Sequence, residues 1–203
     1  MMNLYLVRHG ETQANRDGVY CGLSDLALTP KGRVQARRVA RQLAGVTFGR
    51  VLTSRLQRSI ETAGIICPSA PPEAWPEWDE MDFGEWELRH HHDLRTQDPR
   101  RYAAWCDDWQ HVAPPGGEGF QTFARRVGQA AARLGEQDGA HAILLVAHQG
   151  VLGVLLATLL GLPPSAMWHF PFRQDAYTRV TLNDGFCVLN HLNDSGRATR
   201  PDR

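Results

Sequence analysis

Cysteine is scarce and scattered: Cys21, Cys67, Cys106 and Cys187 form no C-x-x-C pair and no dense ladder. That excludes a disulfide scaffold, a cysteine-built zinc site and a thioredoxin-type redox motif, and it suits reduced thiols in a cytoplasmic protein. Net charge is missing as well. Lysine plus arginine and aspartate plus glutamate both number 22, so no global field draws the chain onto nucleic acid or an anionic membrane, and any anion-directed basic group has to be local. Long apolar runs are absent. Residues 142–147 and 151–162 are the strongest, separated by His148 and Gln149, and neither approaches the roughly 20 residues of a spanning helix. The apolar run within residues 1–8 is much shorter than a secretory core and has no basic segment ahead of it, so export by that route is not expected. There is no internal repeat and no low-complexity tract. One domain over residues 1–192, followed by a polar, frayed tail at 193–203, is the expected organisation.

What is present alternates between two periods. Residues 4–7, 50–52 and 142–147 are short apolar runs that end in charged, hydroxyl or histidine residues, the pattern of buried strands. Pro30 suits a first helical position after a Thr29 cap, and Ala36, Val39, Ala40 and Leu43 then share one helical face. Ser54 followed by Gln57 has the form of a capping box for a second helix carrying Leu56, Ile60 and Ala63. Phe120, Phe123, Val127, Ala131 and Leu134 mark a third. Residues 177–182 and 186–192, joined by Asn183-Asp184-Gly185, read as a hairpin whose turn needs positive φ. Together these predict a three-layer α/β/α sandwich on a mainly parallel sheet.

Open α/β sheets bind ligands beyond the carboxyl ends of their strands. Here those ends deliver Arg8-His9-Gly10, then Ser54 with Arg58 one turn into the next helix, then His148-Gln149-Gly150 at a helix start. One arginine alone is more often a surface or salt-bridged residue; arginines at two strand ends point to an anion, since forked guanidinium donors and helix-start N–H groups both suit phosphoryl oxygens. Gln149, at the head of the last helix, is a further phosphate-binding candidate. The run His90-His91-His92 does not read as a metal site, because adjacent histidines share no helical face. His141 and His191 read as structural or exposed. Trp105 and Trp109, four apart beside Tyr102, have a spacing that more often packs a helix than lines a pocket.

Four ordered blocks carry a family resemblance. Leu6-Val7-Arg8-His9-Gly10-Glu11-Thr12 with Asn15, Thr53-Ser54 with Arg58 and Glu61-Thr62-Ala63, Glu80 with Phe83-Gly84 and Trp86-Glu87, and Ala147-His148 together resemble the histidine phosphatase superfamily, the phosphoglycerate-mutase-like enzymes. The resemblance implies that His9 takes the phosphoryl group and that Arg8, Arg58, Asn15 and His148 hold its oxygens. It gives Glu80 the acid role, with Glu87 the next carboxylate to consider, and requires no metal and no cofactor. A closer resemblance is to the α-ribazole phosphatase branch of cobalamin nucleotide-loop assembly. It rests on Cys21-Gly22 and residues 80–91, 105–111, 117–121, 148–152 and 166–170, and Leu88 stands where many superfamily members have glycine. That branch implies a small-molecule phosphate ester bearing a flat benzimidazole, α-ribazole 5′-phosphate or adenosylcobalamin 5′-phosphate, with Cys21, Gly22, Trp86, His90 and Trp109 as substrate-contact candidates. A broad-specificity phosphatase, a phosphoglycerate mutase or sugar-bisphosphate phosphatase, and an idle phospholigand-binding module are the alternatives. The closing hairpin offers an edge to a second copy, hence a homodimer as a further expectation.

Overall fold

The computed structural model describes residues 1–135, 141–183 and 185–196. In chain order its strands are β1 (Met2–Arg8), β2 (Arg50–Thr53), β3 (Glu73–Ala74), β4 (Ala142–Ala147), β5 (Tyr177–Asn183) and β6 (Phe186–Asp194). Its α-helices are α1 (Gln13–Asp17), α2 (Pro30–Gln42), α3 (Gln57–Ile66), α4 (His91–Gln97), α5 (Pro99–Asp107), α6 (Phe120–Gly135) and α7 (Gln149–Leu159), with 3-10 segments at Pro76–Trp78, Gly84–Trp86 and Pro164–His169.

The sheet runs β3-β2-β4-β1-β5-β6. Strands β3, β2, β4 and β1 are mutually parallel, and β5 and β6 add an antiparallel edge. Because strand side chains alternate between faces, β1 sends Leu4 and Leu6 to one core and Tyr5 and Val7 to the other, and β4 divides Ile143 and Leu145 from Leu144 and Val146. Helices α6 and α7 cover the first face with Phe123, Val127, Leu134, Val151 and Leu155. Val39 and Leu43 of α2 and Ala63 and Ile66 of α3 cover the second. With both faces covered, β4 has to be apolar along its whole length, as its sequence is. The three-layer sandwich is therefore as the alternation implied.

Local chemistry then aims the strand ends. Thr29 caps α2, its hydroxyl accepting from Gly32 N–H at 3.0 Å. The capping box expected between Ser54 and Gln57 does not form. Helix α3 starts at Gln57, whose N–H donates to Asp25 Oδ1 at 2.8 Å, while Ser54 Oγ lies 2.8 Å from His148 Nε2. Ser54 Oγ also accepts from Leu56 N–H at 3.3 Å, while a side chain 32 residues before Gln57 takes the Gln57 N–H in place of the serine. Thr62, one turn beyond Arg58, accepts from Gly10 N–H at 3.1 Å and so ties the loop after β1 to α3.

The hairpin forms as expected, with Asn183 paired to Phe186 and Gly185 at φ 79°; Asp184 lies outside the described residues. Two residues expected in the polar tail are part of the sheet. Asn193 and Asp194 complete β6, and Asn193 bridges back to Pro171 O (2.6 Å) and Arg173 N (2.8 Å). Residues 197–203 lie outside the described residues. Among the described residues no helix is long and apolar enough to cross a membrane.

Candidate active site

His9 follows β1 and is 5 % exposed. Its Nδ1 is 2.8 Å from Gly10 O. A carbonyl oxygen can only accept, so Nδ1 carries the hydrogen and Nε2 keeps its lone pair. Burial first, and then the Arg58 and Arg8 cations, hold the imidazole pKa well below its ordinary value. The ring is thus a neutral imidazole with one defined nucleophilic nitrogen at neutral pH.

The His148 ring lies 5.0 Å from that of His9, centroid to centroid. Arg58 Nε donates to its Nδ1 at 3.3 Å, and a guanidinium only donates, so Nε2 bears the hydrogen and gives it to Ser54 Oγ. Burial and Arg58 keep this histidine neutral as well. Arg58 itself is 1 % exposed and is anchored by Nη1 to Ser24 O (2.7 Å) and by Nη2 to Gly22 O (2.6 Å). Each Nη retains one further N–H for an anion.

Glu80 lies at the mouth of this cluster. Its Oε1 accepts from Met81 N–H at 3.0 Å and its Oε2 from Gly150 N–H, in the first turn of α7, at 2.9 Å. A Cβ on Gly150 would come within 2.5 Å of Glu80 Oε1, so this approach needs glycine. Desolvation raises the carboxyl pKa and outweighs the backbone donors and Arg58, which act in the opposite direction. Glu87, the alternative acid, is otherwise occupied. Its two oxygens accept from the backbone N–H of Gly22, Leu23, Ser24 and Phe83 and from Ser24 Oγ, which knits the Arg58-anchoring loop to the segment after Glu80.

Arg8 donates to Phe172 O at 3.2 Å, and its buried Nε has no protein partner. Desolvation lowers its pKa and Glu80 offsets this, so the guanidinium stays charged. Asn15 Oδ1 accepts from Thr12 N–H and Gln174 Nε2, which leaves its Nδ2 donors for the cavity it lines. Gln149 lines the same cavity, yet its amide spans Phe170 O and Phe172 N. Its side chain therefore positions the loop that carries the Arg8 acceptor and keeps one Nε2 hydrogen, beside its main-chain N–H at the start of α7, for an anion.

Beyond the polar cluster is a cavity of about 280 Å³. Of the five residues expected to contact substrate, Cys21 and Trp109 line it; Gly22, Trp86 and His90 do not. A Cβ on Gly22 would run into Met81 O, so this glycine serves the close approach of two backbones. Trp86 is fully buried, with its indole N–H on Asp98 Oδ2 at 3.1 Å and its ring edge-on to Tyr102 and Trp105. His90 accepts from His92 N–H at the start of α4, and its ring lies 4.1 Å from that of His91. Tyr20, Phe83, Trp105 and Trp168 line it as well. The Trp105/Trp109 spacing held a partial signal: Trp105 packs against Trp86 and also faces the cavity, while Trp109 meets Phe120 at 4.6 Å and the 63 %-exposed Trp168 at 5.7 Å.

Comparison with known proteins agrees with this geometry. The family model of the histidine phosphatase superfamily (branch 1) matches residues 4–195. This chain belongs to that family. It is 47 % identical over 194 residues to the adenosylcobalamin/alpha-ribazole phosphatase of Escherichia coli strain K12, covering 95 % of this chain and 96 % of the relative. It is 44 % identical to the protein of the same name from Salmonella typhimurium, over 99 % and 100 % of the two chains. A crystal structure of the alpha-ribazole phosphatase from Shigella flexneri superposes with a TM-score of 0.93 at 45 % identity, over 96 % of this chain and 97 % of the other. As a histidine phosphatase the chain is an enzyme for phosphate esters. A neutral imidazole stands beside two guanidinium groups and a carboxyl of raised pKa, with a cavity rich in aromatic side chains adjoining them.

Proposed function

We propose that the enzyme hydrolyses α-ribazole 5′-phosphate, or adenosylcobalamin 5′-phosphate, through a phosphohistidine at His9. The observation that carries the mechanism is the His9 hydrogen bond to Gly10 O, which leaves Nε2 as the free nitrogen. Nε2 attacks phosphorus, and the bond to the ribose 5′-oxygen breaks. Glu80, whose carboxyl pKa burial raises, gives a proton to that leaving oxygen. Arg8, Arg58 and the Asn15 amide neutralise the charge spread over the equatorial oxygens, with the His148 ring beside them. The Glu80 carboxylate then takes a proton from water, whose oxygen attacks phosphorus; the P–N bond breaks, inorganic phosphate leaves and Nε2 regains its lone pair.

The substrate assignment rests on the names of the close relatives together with the aromatic cavity, whose tryptophans offer faces to a flat base. A cytoplasmic setting fits the four free thiols. The test is kcat/KM for α-ribazole 5′-phosphate, adenosylcobalamin 5′-phosphate, 3-phosphoglycerate, fructose 2,6-bisphosphate and nitrophenyl phosphate. Stacking on the order of 1 to 3 kcal/mol places the ribazole ester about ten- to a hundredfold above the sugar phosphates. A flat profile would leave a general phosphomonoesterase.

A further inference from the structure

Glu80 sits in an irregular stretch between the 3-10 turn Pro76–Trp78 and the turn at Gly84, where no helix or strand ladder fixes its backbone. Something else has to. Arg126, on α6, uses all five of its N–H groups there. Its Nη1 donates to Glu77 O (2.9 Å) and Asp79 O (2.7 Å), and its Nη2 to Glu80 O (3.0 Å) and Glu118 Oε2 (2.8 Å). Nε donates to Glu118 Oε1 (2.8 Å). Three of the five donors therefore grip main-chain carbonyls of the segment that carries Glu80, and the Glu118 carboxylate holds the guanidinium bidentately from the far side. A surface ion pair would spend its donors on the carboxylate alone. Here the side chains are only 21 % and 16 % exposed. The aliphatic and ring packing agrees, since the guanidinium carbon lies 4.8 Å over the Phe123 ring at the root of α6. Glu118 belongs in turn to the 117–121 run, and its own N–H donates to Asp82 O at 2.9 Å, closing the loop around the acid.

We propose that Arg126, locked by Glu118, is the positioning residue that sets the Glu80 carboxyl against the leaving oxygen. This rests on Glu80 being the acid. Lysine keeps the charge but cannot reach three carbonyls and a carboxylate at once, so geometry and charge are separable.

The experiment measures kcat/KM, which reports the first phosphoryl transfer, for an alkyl ester (glycerol phosphate) and for nitrophenyl phosphate, whose leaving group needs little protonation. Arg126→Gln and Arg126→Lys are both expected to lose on the order of a hundredfold on the alkyl ester, as for an acid displaced by about 1 Å, and to stay within about threefold on nitrophenyl phosphate. Glu118→Gln, which keeps the shape and the three backbone contacts, is expected to shift the same ratio by about tenfold, and it carries the test if the Arg126 variants do not fold. Recovery of alkyl-ester cleavage in Arg126→Lys, equal loss on both esters, or an unchanged ratio in Glu118→Gln would each overturn the proposal. Glu80→Gln is the control: a selective loss there with none in the Arg126 variants overturns the clamp alone, whereas equal loss on both esters in Glu80→Gln removes the acid assignment and the clamp with it.

Discussion

Leu88 holds φ at 58°, in the left-handed region, with its side chain 47 % exposed. It stands where many superfamily members have glycine, and its N–H still donates to Tyr20 O at 2.8 Å. A bulky residue there carries steric strain of about 1 kcal/mol that little packing offsets. Leu88→Gly should therefore raise the stability measured by urea unfolding by about that amount with no loss of activity; a drop in stability would show that the leucine side chain contributes more than its exposure suggests. At this scale the cluster of Arg8, His9, Arg58 and His148 was legible, because these residues stand at strand ends, where a parallel sheet presents its ligands. Glu80 was not legible from its residues alone. It lies among Asp79, Asp82, Glu85 and Glu87 in a segment without periodicity, and only the family frame singled it out. The structure separates these carboxylates by their partners: Asp79 binds Arg55, Glu87 binds five donors, and Glu80 faces the cavity.

Among the elements, β1, β2, β4, α2, α3, α6 and the closing hairpin were readable because each carries a clean period or a turn signal. The pocket wall was harder. It draws on residues 19–21, the stretch of Glu80, Met81 and Phe83, α5 and the loop after it, the head of α6, the start of α7 and the turn Pro164–His169, and contact among so many separate segments leaves no spacing to read. Trp86 and Trp109 show the consequence, since sequence treated them alike and the fold does not. Trp86, in the sealed cluster with Leu94 and Tyr102, should cost about 3 to 5 kcal/mol of stability when changed to Ala. Trp109→Ala should instead lower kcat/KM for α-ribazole 5′-phosphate relative to glycerol phosphate by about ten- to a hundredfold. Unfolding curves and the two rate constants decide it, and the reverse pattern would exchange the roles given to the two rings.

Over the whole molecule, the parallel sheet places two buried, neutral histidines side by side, and this couples folding to pH. Both His9 and His148 have folded-state pKa values well below their unfolded ones. Below about pH 6.5 the unfolded chain binds protons that the folded chain refuses, so stability is complete above that pH and falls as the solution is acidified. Each histidine contributes a slope of up to about 1.4 kcal/mol per pH unit. Glu80 has the opposite sign: its raised pKa stabilises the fold at low pH, and that contribution fades as pH rises through its folded value. Urea unfolding between pH 7.5 and 5 should show the histidine slope, reduced by about half in His9→Asn. An equal slope in the variant would mean that the lost stability has another origin.

The central claim is that His9 carries the phosphoryl group. Wild-type enzyme mixed with α-ribazole 5′-phosphate and quenched in alkali within the first turnovers should yield one acid-labile, base-stable phosphate per chain, mapped to His9 by mass spectrometry, with none in His9→Ala and turnover there below about a thousandth of wild type. Phosphate found on His148, or full turnover with no phosphoenzyme, would contradict it.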